Sequence, residues 1–94
     1  MKCFSPKQVV LIKGIFDFSE GSSCYVSSDR TCINAYVGNY QFYFHVCEDY
    51  IYYAIYKYDD EFEHGECVFR QYYDDFYSII TSLHGFLLNH NCNS

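Results

Sequence analysis

The chain has 94 residues and a formal net charge of −6; half of its residues are hydrophobic and 22% are aromatic. That length holds a single domain, 1–94, with a modest core, and the apolar content excludes a disordered chain. No apolar run approaches the ~18–20 residues of a membrane span, and Val9-Val10-Leu11-Ile12, interrupted by Lys13-Gly14, is too short for a signal-peptide core, so a soluble cytoplasmic protein is the expectation.

From the N-terminus, Ser5-Pro6-Lys7-Gln8 matches a helix start: Ser5 as cap, Pro6 at the first helical position, Gln8 closing a capping box. Gly14 is placed to end that short helix, although the β-branched Val9, Val10 and Ile12 also suit a strand. Ile15-Phe16-Asp17-Phe18-Ser19 then reads as a strand with Phe16 and Phe18 on one face. A turn at Glu20-Gly21-Ser22-Ser23 leads to a return strand over 24–28.

In the middle, Gly38-Asn39 separates two alternating runs and suits a two-residue hairpin. Pairing across it sets Ala35 opposite Phe42, Ile33 opposite Phe44 and Thr31 opposite Val46. The other face pairs Tyr36 with Gln41, Asn34 with Tyr43, and Cys32 with His45. Folding the next strand back about Glu48-Asp49 brings Val46 to Ile51, Phe44 to Tyr53 and Phe42 to Ile55. The apolar residues again share one side, as a consistent register requires. Asp59 to Gly65 reads as an acidic loop and Glu66 to Arg70 as a short fourth strand of the main sheet. From Tyr72 the period changes. Phe76, Ile79, Ile80, Leu83 and Leu87 recur at helical spacing, with Asp74 and Asp75 in a first turn favoured by the helix dipole.

The predicted fold is α+β: an antiparallel meander with a C-terminal amphipathic helix on one sheet face and a short N-terminal helix. Eight of the twelve tyrosines lie between Tyr36 and Tyr58. Tyr53 belongs with the core in this register, whereas Tyr36, Tyr43, Tyr50, Tyr52, Tyr56 and Tyr58 take the opposite face. That face is either a second core under the N-terminal segment, a protein interface, or a base-stacking platform. Base stacking needs a basic groove for phosphates, and the charge here runs the other way. Residues 48–75 hold nine acids against two bases, while residues 1–47 are nearly balanced and 76–94 carry no formal charge. Such a region attracts basic surfaces and repels phosphate backbones.

Chemistry-bearing motifs are few. The sequence contains no CxxC, P-loop, GxGxxG, HExxH or GxSxG. Six cysteines would make three disulfides in a secreted protein; without an export signal, reduced thiols are the expectation. Cys32, His45 and Cys47 share the tyrosine face, with His64 or Cys67 as further ligands for a zinc ion, but residues on a flat sheet diverge where zinc needs convergence. A Cys–His nucleophilic pair drawn from them has no orienting third group. The expectation is therefore no catalytic residue, no metal, no cofactor and no enzymatic activity.

The candidate partner-binding residues are Tyr36, Tyr43, Glu48, Asp49, Tyr52, Tyr56, Tyr58, Asp59, Asp60, Glu61, Glu63 and Glu66. The acidic run Asp59-Asp60-Glu61-Phe62-Glu63, the acid–aromatic segment Tyr72-Tyr73-Asp74-Asp75-Phe76-Tyr77, and a strand-rich middle with a terminal helix resemble the small acidic phage-encoded inhibitors of host defence, including anti-CRISPR proteins. The resemblance implies a role in the host cytoplasm against a CRISPR effector or similar nuclease complex, with carboxylates standing in for phosphates. A toxin-neutralising immunity protein or a structural interaction module is the alternative. The partner is expected to be a basic protein surface rather than nucleic acid or membrane, with a second copy of the chain a further candidate.

Overall fold

The computed structural model describes residues 3–17, 22–59 and 62–90, the side chains of 59, 62–64 and 90 excepted. Helix α1 (Pro6–Asp17) is followed by strands β1 (Ser23–Val26), β2 (Cys32–Val37), β3 (Tyr40–Val46), β4 (Ile51–Asp59) and β5 (Phe62–Tyr73), and by helix α2 (Phe76–His90). The strands form one antiparallel sheet in the order β1-β2-β3-β4-β5, a meander in which each strand pairs with the next. The fold is α+β.

The central registers are those the alternation predicts. Ile33 pairs with Phe44 and Ala35 with Phe42, and Phe44 pairs with Tyr53 and Phe42 with Ile55. Gly38 turns the β2–β3 hairpin with φ at 58°, a conformation that glycine adopts without a Cβ penalty. The β3–β4 connection is held by Cys47 N–H donating to the Tyr50 carbonyl at 2.8 Å.

The core lies on one side of this sheet. Ile33, Ala35, Val37, Phe42, Phe44, Val46, Ile51, Tyr53 and Ile55 form a single buried cluster with Phe76, Ile79, Leu83 and Leu87 of α2. Ile12, Ile15 and Phe16 of α1 belong to the same cluster, as does Phe4. Phe44 and Tyr53 stack at 4.8 Å with their rings 2° from parallel, and Phe16 meets Phe42 at 5.1 Å. Both helices therefore cover the same sheet face, and α1 does not lie on the tyrosines.

Four expectations are corrected. First, α1 does not stop at Gly14, and Ile15 and Phe16 are helical rather than a strand. Ile12, Ile15 and Phe16 fall at i, i+3 and i+4, and their burial outweighs both the glycine and the low helix propensity of the branched residues. Phe18 to Gly21 lie outside the described residues. Second, the strand over 24–28 is Ser23–Val26 and pairs with β2. Third, Asp59 to Gly65 is not a long loop. β4 runs to Asp59, β5 starts at Phe62, and the two pair at Asp59 with Phe62, so β5 is twelve residues long and the fifth strand rather than the fourth. Fourth, Tyr72 and Tyr73 end β5, and Asp74 and Asp75 precede α2 instead of lying in its first turn. Asp75 still serves the helix end as acceptor from Ser78 Oγ at 3.3 Å.

The start of α1 follows its sequence signal. Gln8 N–H donates to Ser5 Oγ at 3.2 Å and Ser5 N–H to Gln8 Oε1 at 2.8 Å, a reciprocal capping box. Ser22 Oγ donates to the Phe16 carbonyl near the other end. The β1–β2 loop clamps the chain's start: Phe4 N–H donates to the Arg30 carbonyl at 2.8 Å and Arg30 Nε to the Phe4 carbonyl at 3.0 Å. Arg30 takes φ at 58°, and the loop is closed by Ser27 Oγ and Asp29 Oδ1 accepting from Thr31 N–H. Ser27 Oγ and Thr31 Oγ1 also donate to Asp29 Oδ1, each at 2.8 Å, and with the Thr31 N–H they hold the exposed Asp29 carboxyl below its ordinary range.

A methyl group at Gly14 meets no atom within 4 Å. Gly14→Ala should therefore raise stability by about 0.5–1 kcal/mol through a higher helix propensity, read as a later urea midpoint. A loss of stability would mean that α1 ends at that glycine.

Candidate functional site

The outer face of the sheet is built by the residues that alternate with the core. The registers align Tyr25, Asn34, Tyr43, Ala54 and Arg70 across the five strands, Ser23, Tyr36, Gln41, Tyr56 and Cys67 beside them, and Cys32, His45, Tyr52 and Tyr72 on the other side. Tyr25, Tyr36, Tyr50 and Tyr72 are 63%, 38%, 40% and 57% exposed, and Tyr43, Tyr52, Tyr56 and Tyr58 are half-buried. Ala54 is fully buried yet stands outside the core cluster, so the tyrosine layer is deep enough to cover a small residue at its centre.

The rings lean on one another. Tyr25 meets Tyr36 edge-on at 6.1 Å, Tyr43 meets Tyr52 at 6.0 Å, and Tyr52 stacks on Tyr72 at 5.3 Å. Tyr50 stands at 87° to Tyr72 with centroids 4.9 Å apart. The hydroxyls are engaged as well. Tyr58 donates to Gln41 Oε1, and Gln41 Nε2 to Asn34 Oδ1 at 2.8 Å. His45 Nδ1 lies 2.9 Å from Tyr43 Oη and 3.2 Å from Cys32 Sγ. Tyr56 hydrogen-bonds Tyr52, and this bond together with partial burial holds the Tyr56 phenol above its ordinary range. A hydrogen bond to Cys47 raises Tyr50. Burial and the bond to Cys32 push Tyr43 up to about 12.

Glycine is required beneath one of these rings. A Cβ at Gly65 would come 2.7 Å from Tyr58 Cζ, so Tyr58 packs directly on the β5 backbone while reaching Gln41. An open cleft of about 300 Å³ lies at the other end of the face, lined by Tyr43, His45, Cys47, Tyr50, Tyr52 and Tyr72.

The predicted site residues divide into four groups. Tyr36, Tyr43, Tyr52, Tyr56 and Tyr58 come together on the outer face. Glu48 and Asp49 are exposed in the β3–β4 loop at one end of it. Asp59 and Glu63 are strand residues at the opposite end, their side chains outside the described residues, and Asp60 and Glu61 lie outside them altogether. Glu66 stands apart from the others. It pairs with Lys57, whose Nζ lies 6.0 Å from the centre of the Tyr40 ring, and Tyr40 packs toward Phe86. Glu66 therefore shares the helix side and stands across from a base. At ~3.3 Å per residue, the nine residues of β4 span about 30 Å from the Glu48-Asp49 loop to the Asp59 backbone.

Tyr25, Tyr72 and Arg70 were not among the predicted residues. Tyr72 was hidden in the helical segment that the acid–aromatic run suggested. Tyr25 is missed because the strand over 24–28 reads as the return of Ile15–Ser19 and not as a neighbour of β2, and its alternation with Cys24 and Val26 is the signal that finds it. Cys3, Cys24, Cys32, Cys47 and Cys67 are free thiols, and partial burial raises Cys24 above the ordinary thiol range. Among the described residues no group of three His, Cys, Asp or Glu side chains gathers to hold a metal ion, and no helix is long and apolar enough to cross a membrane.

No protein-family model, curated protein or solved structure matches this chain.

The raised phenols give the fold a base-sensitive term. A phenol whose folded pKa exceeds its unfolded value near 10 contributes stability that is complete below pH 10 and lost as pH rises toward the folded value. For Tyr43 that window runs from about 10 to about 12. Urea midpoints should fall between pH 9.5 and 11.5, and Tyr43→Phe should flatten part of that fall. An identical slope in the variant would place Tyr43 in an ordinary environment.

Proposed function

We propose that this chain is a non-catalytic binding protein whose tyrosine face docks onto a basic surface of a nucleic-acid-handling protein, such as a CRISPR effector or similar host-defence nuclease complex, and inhibits it. The observation that carries the reading is the position of both helices on one side of the sheet. It leaves five strands of half-exposed tyrosines facing outward with carboxylates beyond the strand ends. Monomeric proteins rarely keep so large an aromatic surface without a use for it.

The composition of that face suits a protein partner. Tyrosine supplies wide contact area with two side-chain torsions to order, and interface centres are enriched in it and depleted in charge. Here the face carries one formal charge among its described sheet positions, Arg70, and Glu48 and Asp49 sit at one margin, as part of a polar rim would. The marginal carboxylates would speed encounter with a basic target, and that contribution weakens as salt rises. A phosphate backbone would meet the same carboxylates as repulsion.

Affinity capture from bacterial lysate tests this. The chain is expected to retain a nuclease or other nucleic-acid-handling complex, more weakly in high salt. Tyr36→Ala combined with Tyr56→Ala should weaken that complex at least about tenfold, as loss of central interface residues does, while the isolated variant keeps its fold by circular dichroism. Capture of a toxin with no nucleic-acid substrate would favour an immunity protein. Capture unchanged in the variant would contradict docking through the tyrosine face.

A further inference from the structure

We propose that the cleft between Tyr43, Tyr50, Tyr52 and Tyr72 is a cation site that receives the ammonium group of a lysine side chain from the partner. That the ammonium belongs to a partner protein rests on the reading above; the site itself stands on its own geometry.

The walls are aromatic and set at angles to one another. Tyr50 stands at 87° to Tyr72, with centroids 4.9 Å apart. Tyr43 stands at 73° to Tyr52, with centroids 6.0 Å apart. The Tyr52–Tyr72 stack, at 5.3 Å and 29°, joins these two corners into one enclosure. Each ring carries a negative π face that attracts a cation. Walls in several orientations suit a compact ammonium, which meets ring surfaces from more than one direction. A planar guanidinium gains more from one long parallel face. The cleft volume of about 300 Å³ stands at the small end of ligand sites and is matched to a single side chain.

The enclosure is held in place before any ligand arrives. Tyr50 packs edge-on against Tyr72, and Tyr43 Oη lies 2.9 Å from His45 Nδ1, which lies 3.2 Å from Cys32 Sγ. The local charge has the required sign. A smaller depression of about 70 Å³ is lined by Glu48, Asp49 and Asp74 and shares Cys47 and Tyr50 with the cleft. Three carboxylates thus border it, and Lys and Arg are missing from both linings. Arg70, the base of this sheet face, stands opposite Ala54 and two residues along β5 from Tyr72. The carboxylates draw a cation toward the cleft, and the rings provide the surface on which it loses water.

The test is a titration of the full chain with tetramethylammonium chloride at constant ionic strength and pH 8, followed through the tyrosine ring resonances by NMR. The control is 3,3-dimethyl-1-butanol, a neutral guest of similar shape. Saturating shifts centred on Tyr43, Tyr50, Tyr52 and Tyr72 are expected with the cation, and binding at least about fivefold weaker with the alcohol. Tyr72→Leu should lose about fivefold for the cation, and Tyr72→Phe, which keeps the π face, should retain it. N-acetyl-lysine methylamide should shift the same rings more readily than its arginine counterpart. Equal response to cation and alcohol, or no effect of Tyr72→Leu, would overturn the cation site; tighter binding of the arginine compound would overturn its assignment to lysine. These outcomes are independent of partner capture. A partner held equally by Tyr72→Leu and the unaltered chain removes the lysine contact and leaves docking through Tyr36 and Tyr56 intact.

Discussion

Everything on the outer face depends on the period-two alternation of three central strands. Ile33, Ala35 and Val37, then Phe42, Phe44 and Val46, then Ile51, Tyr53 and Ile55 point to one side, and that side must be covered. One helix of fifteen residues leaves part of such a surface wet. α1 completes the cover with Ile12, Ile15 and Phe16, and Phe4 closes one end against Phe76 at 6.2 Å. With both helices committed there, the opposite face is left to side chains that tolerate a half-wet position. Tyrosine meets that condition because its ring buries while its hydroxyl finds a partner. The tyrosine face is in this sense a consequence of where the helices are required.

The face is organised to persist without a cover. The Tyr43 hydroxyl meets His45 and Cys32, the Tyr58 hydroxyl donates to Gln41, and the rings meet at stacked and perpendicular angles. A layer of phenylalanines would expose the same area without such bonds. Rigidity of this kind lowers the entropy lost on docking. Gly65 under Tyr58 and Ala54 beneath the centre show the backbone and a small residue adapted to the rings rather than the reverse.

The hairpins around Gly38 and Glu48 were legible in the sequence because alternation and turn position agree there, and one register satisfies both neighbours. The C-terminal stripe Phe76, Ile79, Leu83 and Leu87 was legible for the same reason at helical spacing. What local pattern did not reveal lies where two periods coexist. Phe16 and Phe18 satisfy a strand by alternation, and only the earlier Ile12 and the demand of the sheet for a second cover make Ile15 and Phe16 helical. The β4–β5 hairpin was read as an acidic loop because charge clusters resemble solvated turns, yet strand pairing continues up to Asp59 and Phe62. The loop reading sets the acids of 59–66 at the strand ends beside the tyrosine face, whereas Glu66 pairs with Lys57 on the helix side. It also concealed Tyr72, which completes the aromatic cleft, and Asp74, which contributes to the negative rim.

The central claim is that the tyrosine face is an open surface rather than a second core. Hydroxyl-radical footprinting of the free chain, read residue by residue by mass spectrometry, tests it most directly. Tyr25, Tyr36, Tyr50 and Tyr72 should be oxidised rapidly while Tyr53 is protected, with the half-buried Tyr43, Tyr52 and Tyr56 between them. Protection of Tyr36 and Tyr72 equal to that of Tyr53 would contradict the account.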